Sequence, residues 1–120
     1  MTPMQNPEFL YKIASAESYD AAVSSGTFTG MPIDIADGYI HFSTARQLQE
    51  TLSLHFRGQS GLIVFSVRTH DAGARLRWEP SRGGQLFPHL YGTFPMSAVG
   101  EMTRVDVDSD GAVTLPDWVR

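Results

Sequence analysis

Asp37-Gly38-Tyr39-Ile40-His41-Phe42-Ser43-Thr44-Ala45 runs from a turn through a short strand into a capped helix, and its polarity pattern sets which side of that strand is interior. Side chains alternate along an extended chain. A strand over 39–42 therefore puts Ile40 and Phe42 on one side and Tyr39, His41 and Ser43 on the other. Thr44 is a helix N-cap, with Gln47 three residues on as its capping-box partner. Ala45, Leu48, Leu52 and Phe56 then repeat at helical spacing, and Gly58 stands just past the end. The polar face so formed carries a phenol, an imidazole and a hydroxyl beside a helix N-terminus. Free N–H groups and positive potential at such a terminus favour an anion such as phosphate. The alternative is a structural His41 hydrogen-bonded to backbone, with Ser43 and Thr44 acting only as caps.

A second histidine motif, Phe87-Pro88-His89-Leu90-Tyr91-Gly92, lies further along the chain. Pro88 makes the backbone before His89 extended and stiff, and Tyr91 shares the face of His89 if the segment is a strand. A histidine–tyrosine pair suits proton transfer, ribose hydroxyl binding or stacking on a base; the alternative is a packed loop crossing the core. Between the two motifs, 62–67 reads as a central strand apolar on both faces, which could bring the histidines together from its opposite sides.

The remaining pattern completes an α+β reading. Residues 9–13 form a strand with Phe9, Tyr11 and Ile13 on one face and Leu10 and Lys12 on the other. Ser15 caps a helix over 16–24 that Gly26 closes. Residues 27–38 read as a loop broken by Gly30, Pro32 and Gly38. Residues 76–79 form a further strand and 80–84 a turn. Strands over 98–107 and 112–115 flank Asp108-Ser109-Asp110-Gly111, a hairpin signal. Helices come early and strands late, so the expectation is one domain over 8–120, after a flexible leader at 1–7. Its sheet is split and mixed, largely antiparallel, and carries two main helices.

Composition narrows the function classes. The 120 residues, 42% hydrophobic, suit one globular domain. The absence of cysteine excludes disulfides and thiolate chemistry and suits a reducing cytoplasm. No apolar run approaches the ~20 residues of a membrane-spanning helix, so no membrane partner is expected. A net charge of −4 argues against general nucleic-acid binding. Eight of the nine basic residues are arginine, leaving Lys12 as the single lysine, and arginine's planar fork lets an acidic protein hold a local anion site.

Trp78-Glu79 supplies an aromatic platform and a carboxylate, with Arg75, Arg77 and Arg82 as ready ion-pair partners for Glu79. His55 and His70 read as surface residues. Ser43 lacks a nucleophile elbow, no glycine-rich phosphate loop is present, and the spacing contains no metal-ligand motif, so no metal is expected.

With Tyr11-Lys12-Ile13 and Leu76-Arg77-Trp78-Glu79-Pro80, the two histidine motifs resemble the bacterial domain-of-unknown-function family 952, over about 9–105. That resemblance implies the fold of the ADP-ribosylation superfamily, a split α+β sandwich around a nicotinamide-dinucleotide cleft. It carries a first-strand position to Tyr11 and Lys12, a second to His41, Ser43 and Thr44, and a third near His89. No histidine–glycine pair follows the first strand and no glutamate stands in the third motif. Two histidines and a cation are closer to the phosphotransferase branch than to glutamate-dependent ADP-ribosyl transfer.

The resemblance thus implies catalytic His41 and His89, with Tyr11, Lys12, Tyr39, Ser43, Thr44 and Tyr91 binding NAD, ADP-ribose or a phosphorylated ribose; the sequence leaves the oligomeric state open, with a monomer favoured. The alternative is a non-catalytic nucleotide- or partner-binding module with structural histidines.

Overall fold

The computed structural model describes residues 7–120; apart from Pro7, the leader expected at 1–7 lies outside the described residues. In chain order the elements are β1 (Phe9–Ser15), α1 (Ala16–Ser25), β2 (Thr27–Phe28), α2 (Pro32–Asp37), β3 (Ile40–His41) and α3 (Ala45–His55). There follow β4 (Leu62–Arg68), α4 (Thr69–Ala72), β5 (Leu76–Pro80), β6 (Leu86–Leu90), β7 (Phe94–Pro95) and β8 (Val99–Val105).

β4 is the middle strand of a sheet ordered β1-β4-β8, antiparallel to both neighbours. Its continuous apolar run follows from burial on two sides. Leu62 and Val64 join Tyr11, Ile13, Leu48 and Leu52 beneath α3, while Ile63, Phe65 and Val67 join Leu10, Ala14, Phe28 and Phe94 on the other face. The faces of β1 therefore divide as the sequence pattern predicts, except that Lys12 is buried too.

A second antiparallel sheet is ordered β3-β6-β5. A single bridge ties it to the edge of the first: Tyr11 N donates to Ser43 O at 2.8 Å, and Ser43 N to Tyr11 O at 2.9 Å. The result is a split sheet. Every strand pair among the described residues is antiparallel, which corrects the expectation of a mixed sheet.

The helix signals act locally. Ser15 Oγ accepts from Ser18 N at 3.1 Å, and Gly26 closes α1 at φ 86°. Thr44 and Gln47 exchange both capping-box bonds, at 3.1 and 3.3 Å.

Two segments differ from the sequence reading. The predicted loop at 27–38 contains β2 and α2. β2 is two residues long, too short for a periodicity to register, yet it pairs with β7 and stacks Phe28 on Phe94 at 5.2 Å in the core centre. α2 carries Pro32 at its start and Gly38 at its left-handed end, the start-and-stop asymmetry of a helix compressed into six residues.

The second difference is the hairpin. Its turn forms, with Gly111 N donating to Asp108 O at 2.9 Å, but 112–115 is not a strand. The segment instead runs across α3, where Ser53 Oγ donates to Gly111 O at 2.6 Å. Val113, Leu115, Trp118 and Val119 cover the cluster of Leu48 and Leu52. An apolar helix face has to be covered, and that outweighs one more strand pairing.

Candidate functional site

The two histidine motifs meet by pairing with each other rather than across β4. In the β3–β6 ladder Ile40 stands opposite Leu90 and His41 opposite His89. Cross-strand partners share a face, so Ile40 and Leu90 enter the core while the imidazoles lie together on the other side, ring centroids 5.5 Å apart. Tyr39 sits over both rings, 4.7 Å from His41 and 4.1 Å from His89, and lies 5.2 Å from Tyr91.

His89 is buried. Its Nδ1 lies 2.8 Å from Glu79 Oε1, and the Tyr91 hydroxyl donates to the same oxygen at 2.7 Å. The partner of Glu79 is thus a histidine and a tyrosine, where the sequence suggests an arginine. Those two bonds, Tyr91's first and His89's second, outweigh residual desolvation and lower the Glu79 carboxyl below its usual range. The same bond, with desolvation and the carboxylate charge, raises the Tyr91 phenol. Desolvation and the Asp37 and Glu79 charges raise that of Tyr39. Arg77 lies over the Tyr91 ring at 5.1 Å, and Arg82 pairs with Glu50 at 3.1 Å. Arg75 packs its guanidinium against Gly92, in space a Cβ would occupy.

His41 is held differently, with both ring nitrogens facing carboxylates: Nδ1 lies 2.6 Å from Asp34 and Nε2 lies 2.9 Å from Asp37. Asp34 is the buried hub of this corner. It also accepts from His41 N at 3.0 Å and Met31 N at 2.6 Å, and pairs with Lys12 Nζ at 2.9 Å. Burial pushes the Asp34 carboxyl up, but the His41 hydrogen bond and the Lys12 charge prevail and hold it at about 2. Burial lowers the Lys12 ammonium, an effect Asp34 only partly offsets. Lys12 Nζ also donates to His41 O at 3.0 Å, so its donors are committed inside the protein.

A cleft of about 470 Å³ opens between this face, β1 and α3, within the ~300–1,000 Å³ usual for small-molecule sites. Lys12, His41, Ser43 and His89 border it, as do Arg82, Thr51 and the exposed His55. Tyr11 borders it as well, but its hydroxyl points to the C-terminal segment, donating to Arg120 O and accepting from Arg120 N, both at 3.0 Å. Ser43 Oγ donates to Thr51 Oγ1 at 3.3 Å. Thr44 is spent on its cap, and neither it nor Tyr39 and Tyr91 lines the cleft. His70 is exposed in α4, away from it. Among the described residues no group of three or more His, Asp or Glu side chains is arranged to hold a metal, and no helix is long and apolar enough to cross a membrane.

The sequence reading misses Asp34, Thr51 and the cleft position of Arg82, and it assigns Glu79 the wrong partner. The Pro32-to-Gly38 spacing was the available signal for Asp34, since it puts that residue in the first turn of a short helix. Nothing local marks the others; strand register creates their contacts.

Comparison with known proteins agrees on the family. A family model described as Protein of unknown function (DUF952) matches residues 13–102, a span that contains both histidine motifs, Asp34, Glu79 and Arg82. The chain belongs to this family. The crystal structure of protein CC0527 from Caulobacter crescentus is 43% identical, with 88% of this chain and 93% of that chain covered and a TM-score of 0.83. The solution NMR structure of CC0527 is 45% identical over 86% and 89% of the two chains, with a TM-score of 0.75. A double mutant of the same protein superposes with a TM-score of 0.82 at 43% identity, over 88% of this chain and 93% of that one. None of the curated proteins compared with the chain matches it.

Proposed function

We propose that the cleft binds a small nucleotide or phosphorylated ribose (NAD, ADP-ribose or a ribose phosphate) and that His89 is its acid–base group, in a transferase-like reaction of the kind the ADP-ribosylation-type resemblance implies. One observation carries the reading. His89 Nδ1 faces the Glu79 carboxylate, while Nε2 has no protein partner among the described residues. His89 itself borders the cleft. A carboxylate that accepts the Nδ1 proton leaves the lone pair on Nε2, the arrangement of a general base. His41, with both nitrogens engaged by Asp34 and Asp37, positions the strand and the ligand rather than moving protons.

A second reading has its own support. The Lys12 charge is matched internally by Asp34 and both nitrogens of His41 are engaged, which suits a non-catalytic module that binds a nucleotide without turning it over. One experiment separates the two: purified protein is titrated with NAD, ADP-ribose and ribose 5-phosphate, and screened for NAD consumption and RNA 2′-phosphate removal. The acid–base reading expects amide shifts in β3 and β6 together, and turnover abolished by His89→Gln with the melting temperature little changed. Binding without turnover selects the module. No shifts at millimolar ligand would sink both.

A further inference from the structure

The cleft is electrostatically unlike the rest of the chain. The protein carries 13 acidic against 9 basic residues, yet among the described residues no aspartate or glutamate lines the cleft, while Lys12, Arg82 and three histidines do. With Lys12 committed to Asp34 and His41 O, Arg82 is, among the described residues, the other permanent cation at the cleft.

Arg82 stands in the tight turn between β5 and β6, which Ser81 N donating to Gln85 O closes at 2.9 Å. Its guanidinium lies 5.0 Å over the Phe87 ring, and Nη1 donates to Thr51 Oγ1 at 3.2 Å. Glu50 Oε1 lies 3.1 Å from Nε, on the guanidinium edge that Nε shares with Nη2. That edge is the one that binds phosphate or carboxylate through two parallel bonds. The group using it is a carboxylate whose side chain is 60% exposed, and such surface pairs are held weakly.

We infer that Arg82, braced by Thr51 Oγ1, and the neighbouring Ser43 hydroxyl are the receptor for a phosphomonoester on the ligand, and that Glu50 occupies its place until the ligand arrives. This rests on the cleft-binding reading above and places the phosphate on Arg82 rather than on Lys12, whose charge Asp34 matches. A phosphomonoester fits better than a carboxylate because its three terminal oxygens can meet the guanidinium edge and also take the proton that Ser43 Oγ gives to Thr51 at 3.3 Å.

The test compares ribose 5-phosphate with ribose, and inorganic phosphate alone, by NMR titration of the full chain in wild type, Arg82→Gln and Glu50→Gln. Wild type should favour the phosphorylated sugar by roughly tenfold or more. Arg82→Gln should erase that preference; Glu50→Gln should tighten phosphate binding severalfold. Unchanged melting temperatures show that both variants fold. A preference that survives Arg82→Gln, or a loss of phosphate affinity in Glu50→Gln, overturns the assignment while leaving the cleft reading standing. Inorganic phosphate shifting the Arg82 Nε and Thr51 signals while no sugar or nucleotide binds would keep the receptor and remove the cleft reading. Silence from every probe removes both.

Discussion

Replacing Asp34 with asparagine tests the buried hub on which the His41 corner is built. The carboxylate accepts from two backbone N–H groups, from His41 Nδ1 at 2.6 Å and from Lys12 Nζ. Lys12 is only 3% exposed, so Asp34→Asn leaves a buried ammonium without its counter-charge. Breaking one side of such a pair costs about 3–5 kcal/mol, a large share of the ~5–15 kcal/mol that holds a domain together.

The pH dependence supplies a separate figure. The Asp34 carboxyl falls from 3.8 to about 2 on folding, and at ~1.4 kcal/mol per unit this corresponds to about 2 kcal/mol. Because the folded value is the lower one, that stability is present above 3.8 and is lost as the pH falls towards 2. The substitution should cost more than the protonation, since a protonated carboxyl keeps its shape and some of its hydrogen bonds. Urea unfolding of wild type and variant from pH 7 down to 2 reads both quantities, provided the m-values agree. The wild-type advantage should be several kcal/mol at neutral pH and should shrink by about 2 kcal/mol across the acid range. Adding Lys12→Met should restore part of the loss, because the stranded charge is then gone. A cost below about 1 kcal/mol, or an advantage that does not change with pH, would refute the account of Asp34 as a charged hub.

Two further predictions concern the other site residues. The Glu79 carboxyl is lowered on folding, so it stays ionised below its ordinary range and keeps His89 in the Nδ1–H tautomer; ¹⁵N-resolved imidazole spectra should show this form in wild type and lose it in Glu79→Gln, and an Nε2–H tautomer in wild type would contradict the acid–base assignment. Tyr11→Phe removes the hydroxyl that bonds Arg120 and should cost about 1 kcal/mol, speed amide exchange over 112–120 and leave ligand affinity unaltered; a loss of ligand affinity would return Tyr11 to the binding surface.

Much of the fold was legible because its signals are local. The apolar run of β4, the Thr44–Gln47 capping box and the Ser15 and Gly26 caps each depend on residues within one turn or one strand, and each forms as read. The elements that escaped are those whose stability comes from elsewhere. β2 is held by β7 and an aromatic cluster, and the C-terminal segment lies over α3 because that helix face needs cover. The site follows the same division. His41 and His89 were visible as polar residues in apolar surroundings, and Tyr39 and Tyr91 as their neighbours, but the partners that set their chemistry were not.

By itself the sequence determined the α+β class, the family, the two principal helices and the two histidine motifs, since composition, capping and alternation are properties of neighbouring residues. Tertiary structure alone decided that Glu79 backs His89, that Asp34 neutralises Lys12 and holds His41, and that Arg82 borders the cleft. Those contacts depend on the register of β6 against β3 and β5 and on where α2 docks. A shift of one residue in that register would turn the imidazoles to the opposite face, a difference no short stretch of sequence records.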